Sequence, residues 1–278
     1  MVIKKIVHIK SKPPAHIEQK LKKIADYWEG KNTISLMDKN LKELEIDSIK
    51  RFLKKKDNVI DIGCGDGQSA CECSKVVKSM LAVDNSQNMI DKAKKLASNN
   101  HQNLSIKKWN ILNLNSLNKK FDVAITDRVI TNLPNWELQK KAILDIKSIL
   151  KNNGRYIMIE NFNEGFDRLN QFRTLIGLKK IPKHWHNTFL NKNDVILFLK
   201  NHFKIKTQFN FNLYYLLTRV YIPMFGDFTG WGKNAKSEPI FKVSDPAARK
   251  IHENFSKYVK IFEDDFFGPI NGLVLTKK

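Results

Sequence analysis

Short apolar runs alternate with amphipathic segments over the first 160 residues of this 278-residue chain. The apolar runs that begin at Val59, Leu81 and Phe121 have the length of buried strands. The segment from Trp136 to Leu150 instead repeats its apolar side chains at helical spacing, and Ser86 is a suitable first residue for another helix. Strands that alternate with helices indicate an α/β fold with a doubly wound, mostly parallel sheet.

The ends of the chain depart from this alternation. Residues 14–30 and the segment from Leu41 to Leu53 are amphipathic at helical spacing and precede the first strand, while the periodicity weakens into aromatic and basic segments after residue 160. Long additions to a fixed scaffold are where substrate recognition usually lies. We therefore predict three parts: an N-terminal helical lid over residues 1–56, a core over residues 57–211 and 266–278, and a helical, aromatic, substrate-binding insertion over residues 212–265, before the last strand.

The stretch Val59-Ile-Asp-Ile-Gly-Cys-Gly-Asp-Gly67 runs from an apolar strand into three alternating glycines, which bring bare backbone against a ligand. Asp84 closes the next apolar run about 20 residues further on, the spacing that places an acid over a ribose. A dinucleotide fingerprint would need a third glycine where Gln68 stands, so the spacing argues against NAD. Asp61 would repel a pyrophosphate and pair with an ammonium, so we expect a nucleoside that carries positive charge.

These residues resemble the first two motifs of the class I S-adenosylmethionine-dependent methyltransferases. In that family the acid and glycines of the first motif meet the methionine half of the cofactor, and the second-strand acid binds both ribose hydroxyls. The resemblance continues in order through strands three to seven, and it implies a seven-stranded, Rossmann-like sheet. The segments that carry it are residues 108–111, 121–127, 150–154 as the turn into strand five, 155–160 as that strand, 203–209 and 271–276.

The resemblance also implies a cofactor, S-adenosyl-L-methionine, and a set of residues around it. Asn110 stands where many members carry an acid for the adenine amino group, and its amide oxygen can accept the same hydrogen bond. The cofactor-binding residues that we expect are Asp61, Gly63, Cys64, Gly65, Gly67, Asp84, Asn85, Met89, Asn110, Ile111, Asp127 and Arg128.

Methyl transfer from a sulfonium is an in-line displacement in which positioning carries much of the rate. A base matters only for an acceptor that must lose a proton, and a group that titrates near the operating pH does this best. His184 and His186 are the first candidates and Glu160 or Asp127 the second, although a single histidine more often packs or caps a loop. The substrate-binding candidates are Trp185, Tyr214, Tyr215 and Arg219.

The chain is strongly basic, with 49 Lys and Arg against 28 Asp and Glu and a net charge of +21. Such an excess can bind nucleic acid, but these lysines are scattered beside asparagines as on solvated surfaces, so nucleic acid is possible but not favoured. Cys64, Cys71 and Cys73 are sparse and odd in number, which favours reduced thiols and no metal site. No apolar run approaches the roughly 18 residues of a membrane span, and the N-terminus lacks a signal-peptide core, so we expect a cytoplasmic protein.

Two acceptor classes are disfavoured by the residues near strand four. Residues 127–132 lack the Asn-Pro-Pro-aromatic turn that amide and adenine-amino methyltransferases share, and the cysteines all lie at the first motif, away from where a cytosine nucleophile would stand. We therefore expect methyl transfer to an oxygen or nitrogen of a small-molecule acceptor, with a carbohydrate as one option. The alternatives are an RNA methyltransferase and a non-catalytic cofactor-binding subunit, and the sequence leaves the oligomeric state open.

Overall fold

The computed structural model describes residues 13–31, 33, 38–98, 101–224, 246–255 and 266–278. Seven strands in these ranges form a single sheet in the order β3-β2-β1-β4-β5-β7-β6, and β7 runs antiparallel to both of its neighbours. The predicted α/β class with a mostly parallel sheet is confirmed. The strands are β1 Asn58–Ile62, β2 Ser79–Asp84, β3 Leu104–Lys108, β4 Phe121–Asp127, β5 Leu150–Asn161, β6 Phe203–Asn210 and β7 Ile270–Lys277.

Several helices begin at side chains that cap their first turn. Ser86 accepts a hydrogen bond from the Met89 N–H at 3.2 Å, so the predicted helix start at Ser86 is confirmed. Short 3₁₀ segments, Ile111–Leu117 and Ile130–Asn132, follow β3 and β4. The helices are α1 Ala15–Trp28, α2 Lys39–Lys50, α3 Gln68–Ser74, α4 Gln87–Ala97, α5 Trp136–Ile149, α6 Asn163–Leu175, α7 Lys192–His202, α8 Asn212–Leu216 with a π segment Leu217–Tyr221, and α9 Pro246–Phe255.

Central strands of the sheet are buried on both faces, which explains why they read as continuous apolar runs. Ile60 and Ile62 of β1 belong to the hydrophobic cluster that includes α5, whereas Val59 belongs to a second cluster with Leu41 and Leu44 of α2. The side chains of a strand point alternately to opposite faces, so β1 contributes to both clusters. The two hydrophobic clusters therefore pack on opposite faces of the sheet and hold its strands in place.

One predicted turn lies inside a strand. Leu150 already pairs with Phe121, and the next pair in register is Val123 with Arg155, so the residues between form an irregularity within β5. Asn153 there has φ 59°, a left-handed conformation that asparagine tolerates well. The expected turn before strand five is thus replaced by an early strand start and a bulge.

The sheet order places the functional crevice. β1 and β4 are neighbours although they are not consecutive in the chain, and the connections leave them on opposite sides. Ligands of such sheets bind beyond the carboxyl ends of the strands at this switch point. The three-part division of the chain stays a prediction, and residues 225–245 and 256–265 of the expected insertion lie outside the described residues.

Gly272 of β7 lies opposite Phe209 of β6, and a Cβ at Gly272 would overlap the Phe209 ring. We expect Gly272→Ala to lower the free energy of unfolding by about 1 to 3 kcal/mol, because the half-buried ring must leave its position against Phe52. Urea denaturation of the single variants and of Gly272→Ala with Phe209→Ala measures the coupling. An equal loss in both backgrounds would contradict the proposed overlap.

Candidate functional site

A cavity of about 1350 Å³ lies at the carboxyl ends of β1, β2 and β4, between α1, α2 and the loop before α7. Most of the residues predicted for the site line it. From the cofactor set these are Asp61, Gly63, Cys64, Gly65, Asp84, Asn85, Asn110, Ile111, Asp127 and Arg128, and from the acceptor set His184, His186, Tyr215 and Arg219. Five predicted residues do not line it, namely Gly67, Met89, Glu160, Trp185 and Tyr214.

The glycine turn presents bare backbone to the cavity. Gly63, Gly65 and Gly67 have φ of 70°, 54° and 88°, which glycine adopts without strain. The Gly63 N–H donates to the Val83 carbonyl at 2.7 Å, which ties the turn to the end of β2. A Cβ at Gly63 would overlap the Val129 side chain, so the turn and the loop after β4 are in direct contact. Gly67 does not line the cavity and is instead the residue just before the first turn of α3.

Asp61 is a buried carboxylate at the base of this turn. Its Oδ2 atom has no hydrogen-bond partner, and burial raises the pKa of the group to about 7 although Lys42 lowers it. A buried carboxylate without a partner is costly, and a ligand ammonium at this place would relieve that cost. The side chain therefore fits the role that the sequence predicts for it.

Asp84 is fixed at the end of β2 by two backbone donors. Its Oδ2 accepts from the Gly65 N–H at 3.0 Å and its Oδ1 from the Ser86 N–H at 2.8 Å. Burial raises the pKa of this carboxyl group, and the N–H donors counteract part of that rise. Each oxygen keeps a further lone pair, so the carboxylate can still accept hydrogen bonds from a ribose.

Asn110, which is predicted to bind the adenine amino group, already uses part of its hydrogen-bonding capacity within the protein. The Asn110 Oδ1 atom accepts from the Leu112 N–H at 2.8 Å and caps the 3₁₀ segment, so this amide oxygen has one lone pair left. Ile111 lines the cavity beside it, and so does Trp109, which also packs against the core. Met89 is buried in α4 and does not line the cavity.

The end of α1 covers the cavity and is tied to both of its sides. The Glu29 carboxylate accepts from the N–H groups of Gln87 at 2.8 Å and Asn88 at 3.0 Å, at the N-terminus of α4. These donors lower the pKa of Glu29, as expected for an acid at the positive end of a helix. On the other side the Tyr27 ring stacks on His186 with centroids 4.5 Å apart. Sequence reasoning missed Glu29, since an acid just after a helix carries no distinguishing pattern.

A network of buried ion pairs forms the wall beyond β4. Lys42 Nζ lies 2.6 Å from Asp127 Oδ2, and Arg128 joins Asp127 to Glu45 with N–O distances of 3.2 Å. Burial alone would raise the pKa of Asp127, but Lys42 and Arg128 hold it below its usual value. Lys42 and Glu45 were not expected in the site, because their charges on α2 look like those of any amphipathic helix.

Asp38 connects the start of α2 to α8. Its Oδ1 accepts from the Tyr214 hydroxyl at 2.8 Å, and its Oδ2 accepts from Arg219 at 2.6 Å. Tyr214 is fully buried and does not line the cavity, and its contact with the substrate stays a prediction. Tyr215 and Arg219 do line the cavity, with the guanidinium 5.7 Å from the centre of the Tyr215 ring.

The two candidate histidines have different surroundings. His184 is exposed at the rim, whereas His186 is only 6% exposed, and burial with the nearby His184 lowers the pKa of His186 to about 4. His186 is therefore neutral at physiological pH. Trp185 is 55% exposed and does not line the cavity, although its ring contacts His186 edge to face at 5.5 Å, and its place in the acceptor pocket stays a prediction.

Glu160 is fully buried beneath the loop after β4. Its carboxylate accepts from the N–H groups of Val129 at 3.1 Å, Ile130 at 3.0 Å and Thr131 at 3.1 Å. Burial raises its pKa to about 7 against the effect of these donors. The side chain does not line the cavity, and its three donors fix the loop after β4, while its role as a base stays a prediction.

Comparison with known proteins agrees with this geometry. A family model described as a methyltransferase domain matches residues 53–219. YcgJ of Bacillus subtilis (strain 168), described as an uncharacterised methyltransferase, is 24% identical over 135 residues, which are 48% of this chain and 52% of YcgJ. The chain thus matches about half the length of this curated relative.

Solved structures share the fold at low sequence identity. The structure of YcgJ has a TM-score of 0.53 at 14% identity and covers 85% of this chain and 98% of its own. The N-methyltransferase NodS from Bradyrhizobium japonicum WM9, in complex with S-adenosyl-L-homocysteine, has a TM-score of 0.51 at 16% identity and covers 68% of this chain and 88% of its own.

The family match extends over more than half of the chain and includes the glycine turn, Asp84 and the loop after β4. The chain therefore belongs to the methyltransferase-domain family, within the class I S-adenosylmethionine-dependent methyltransferases. It is an enzyme of this class, and S-adenosyl-L-methionine is its cofactor. The unpartnered Asp61 oxygen and the glycine turn fit that cofactor.

Replacing Asp84 by alanine tests the predicted ribose contact. We expect Asp84→Ala to cost about 2 to 3 kcal/mol in binding of S-adenosylhomocysteine, a loss of tens-fold or more, because two charge-assisted hydrogen bonds disappear. Calorimetric titration measures this, with Asp66→Asn as the control because Asp66 does not line the cavity. If Asp84→Ala binds S-adenosylhomocysteine within two-fold of the wild-type affinity, Asp84 does not bind the ribose.

Asp61 gives cofactor binding a pH dependence whose sign is fixed. Its pKa in the free protein is about 7, and a ligand ammonium pairs only with the ionised carboxylate. The affinity for S-adenosylhomocysteine should therefore rise from pH 5 to pH 8 and level off above the pKa, by up to about ten-fold for each pH unit below it. Asp61→Asn should flatten this profile. A profile that is flat in the wild type, or equally steep in the variant, would contradict the ammonium contact.

Proposed function

We propose that this enzyme transfers the methyl group to an oxygen or nitrogen of a small-molecule acceptor. The observation that carries the proposal is the size of the cavity, about 1350 Å³ beneath α1. Small-molecule sites usually measure about 300 to 1,000 Å³. The cavity is therefore large enough for the cofactor together with a second small molecule.

The charge of the cavity wall favours this class over RNA. Lys42, Arg128 and Arg219 line the wall, and each is paired with a buried carboxylate. RNA binding depends on cations that neutralise phosphates, and here the carboxylates already balance those charges. The net charge of +21 belongs to the whole chain, whereas the cations of this cavity wall are paired with carboxylates.

An apolar group of side chains favours an acceptor with an apolar surface. The Phe166 and Phe189 rings meet edge to face at 5.2 Å, and both line the cavity beyond the strand ends. A sugar, the option raised by the sequence, would need more hydrogen-bonding partners than this group supplies. The group consists of Phe166, Leu169, Ile181, Pro182, Phe189, Pro269 and Ile270.

Two solved structures of similar fold are consistent with such a reaction. NodS is named as an N-methyltransferase. The ChlM structure from Synechocystis PCC 6803 is named as a magnesium protoporphyrin IX methyltransferase with bound S-adenosylhomocysteine, at a TM-score of 0.50 and 18% identity, and covers 70% of this chain and 87% of its own. Both likenesses concern the fold, and they support the proposal only as precedents for acceptor type.

When bound, the cofactor supplies an activated sulfonium methyl group, so the protein must chiefly hold the acceptor in line and exclude water. α1 closes the cavity, with Tyr27 stacked on His186. His186 is a weak base because its pKa is about 4, so we assign it to orienting the acceptor. His184, at the rim of the same cavity, is the candidate base for an acceptor that must lose a proton.

A labelled-methyl assay tests the proposed acceptor class. Purified protein is incubated with S-adenosylmethionine that carries a tritiated methyl group and with separate pools of aromatic alcohols, aromatic amines, sugars and bulk RNA. We expect label in the aromatic alcohol or amine pool and none in RNA at low or high salt. Labelling of RNA that falls steeply with salt would instead establish the RNA methyltransferase.

A further inference from the structure

The Arg128 guanidinium presents an unused donor edge to the cavity. Its Nε donates to Asp127 Oδ1 and its Nη2 to Glu45 Oε2, both at 3.2 Å. Nη1 has no partner among the residues that the structure describes. The side chain is only 15% exposed and lines the cavity, so a charged N–H donor stands free in a largely buried place.

Arg128 has an unusual backbone conformation, which sets the direction of its side chain. Arg128 has φ 59°, a left-handed conformation that is unfavourable for a non-glycine residue. Its N–H donates to the Ile159 carbonyl at 2.7 Å, which holds the conformation in place. Strained residues cluster at ligand sites, where the side-chain direction matters more than the local cost.

Lys42 adds a second cation at the same place. Its ammonium lies 2.6 Å from Asp127 Oδ2, its one hydrogen bond among the described residues, although an ammonium has three donors. The remaining Lys42 donors and the Arg128 Nη1 therefore lie at the same cavity wall, where a second anion could accept from both.

Cations and a free carboxylate oxygen therefore share one wall. Asp61, whose Oδ2 lacks a partner, is close enough to Lys42 for its pKa to be lowered by it. A molecule that carries both an ammonium and a carboxylate matches this arrangement, with each group facing its opposite charge.

We propose that Arg128, with Lys42 beside it, binds the carboxylate of an α-amino acid whose ammonium pairs with Asp61. Two molecules bring this chemistry, the methionine half of the cofactor and an amino-acid acceptor. The position favours the methionine half, because Val129, next to Arg128, touches the Gly63 turn that follows Asp61.

Calorimetric titration of the full chain with two ligands tests this carboxylate contact. S-adenosylhomocysteine carries both groups, and its decarboxylated analogue keeps the ammonium but lacks the carboxylate. The variant is Arg128→Met combined with Glu45→Gln, which removes the cation together with its buried partner and leaves no unpaired acid there. The control is Arg155→Met combined with Asp57→Asn, a buried ion pair that does not line the cavity.

We expect the wild type and the control to prefer S-adenosylhomocysteine over the analogue by about ten-fold or more. In the Arg128 variant the preference should fall to about two-fold or less. A general loss of stability weakens both ligands alike, so the ratio of the two affinities isolates the carboxylate contact. A variant that retains the wild-type preference overturns the proposal.

A second experiment distinguishes the methionine half of the cofactor from an amino-acid acceptor as the bound molecule. If the wild type shows no preference, the protein is saturated with S-adenosylhomocysteine and titrated with glycine and with L-phenylalanine, followed by NMR. Binding that the Arg128 variant loses assigns the site to an amino-acid acceptor. Absence of both the preference and amino-acid binding in the wild type overturns the proposal.

Discussion

Three backbone N–H groups after β4 converge on the single buried carboxylate of Glu160, and the site depends on this contact. The loop it holds places Val129 against the glycine turn and supplies the Thr131 carbonyl, which accepts from the Thr188 N–H at 2.7 Å. One acid at the end of β5 therefore fixes the position of the cofactor turn and of the acceptor loop together. An unpaired carboxylate would be very costly here, so the loop is held firmly by the need to satisfy it.

The acids of the site divide into two groups according to their partners. Asp127 lies between two cations, which hold its pKa below the usual value and keep it ionised. Asp61 has no such contact, and burial raises its pKa to about 7. Asp127 is satisfied within the protein, whereas the Asp61 oxygen without a partner is the one that we propose a ligand ammonium completes. This difference, rather than sequence position, separates a structural acid from a binding acid.

Local features of the site could be predicted from the sequence, and long-range ones could not. The glycine turn, Asp84 and the cap at Ser86 follow from short-range rules about backbone conformation and helix starts. Lys42 and Asp127 are 85 residues apart, and nothing in the pattern of α2 shows that this lysine alone turns inward. Adjacent tyrosines were equally hard to separate, because only the packing of α8 decides that Tyr215 meets the cavity and Tyr214 meets Asp38. A carboxylate at a strand end resembles a site residue, and the sequence does not show that the loop after β4 donates hydrogen bonds to both oxygens of Glu160.

The covering helix links the two halves of the cavity. Glu29 anchors the end of α1 to α4, close to Asp84, the acid predicted to bind the ribose, while Tyr27, two residues earlier, stacks on His186. The same short segment of α1 therefore contacts the side of the cavity predicted for the cofactor and the side proposed for the acceptor. Displacing this segment would break the Glu29 hydrogen bonds and the Tyr27 stack together, because both residues belong to one helix end.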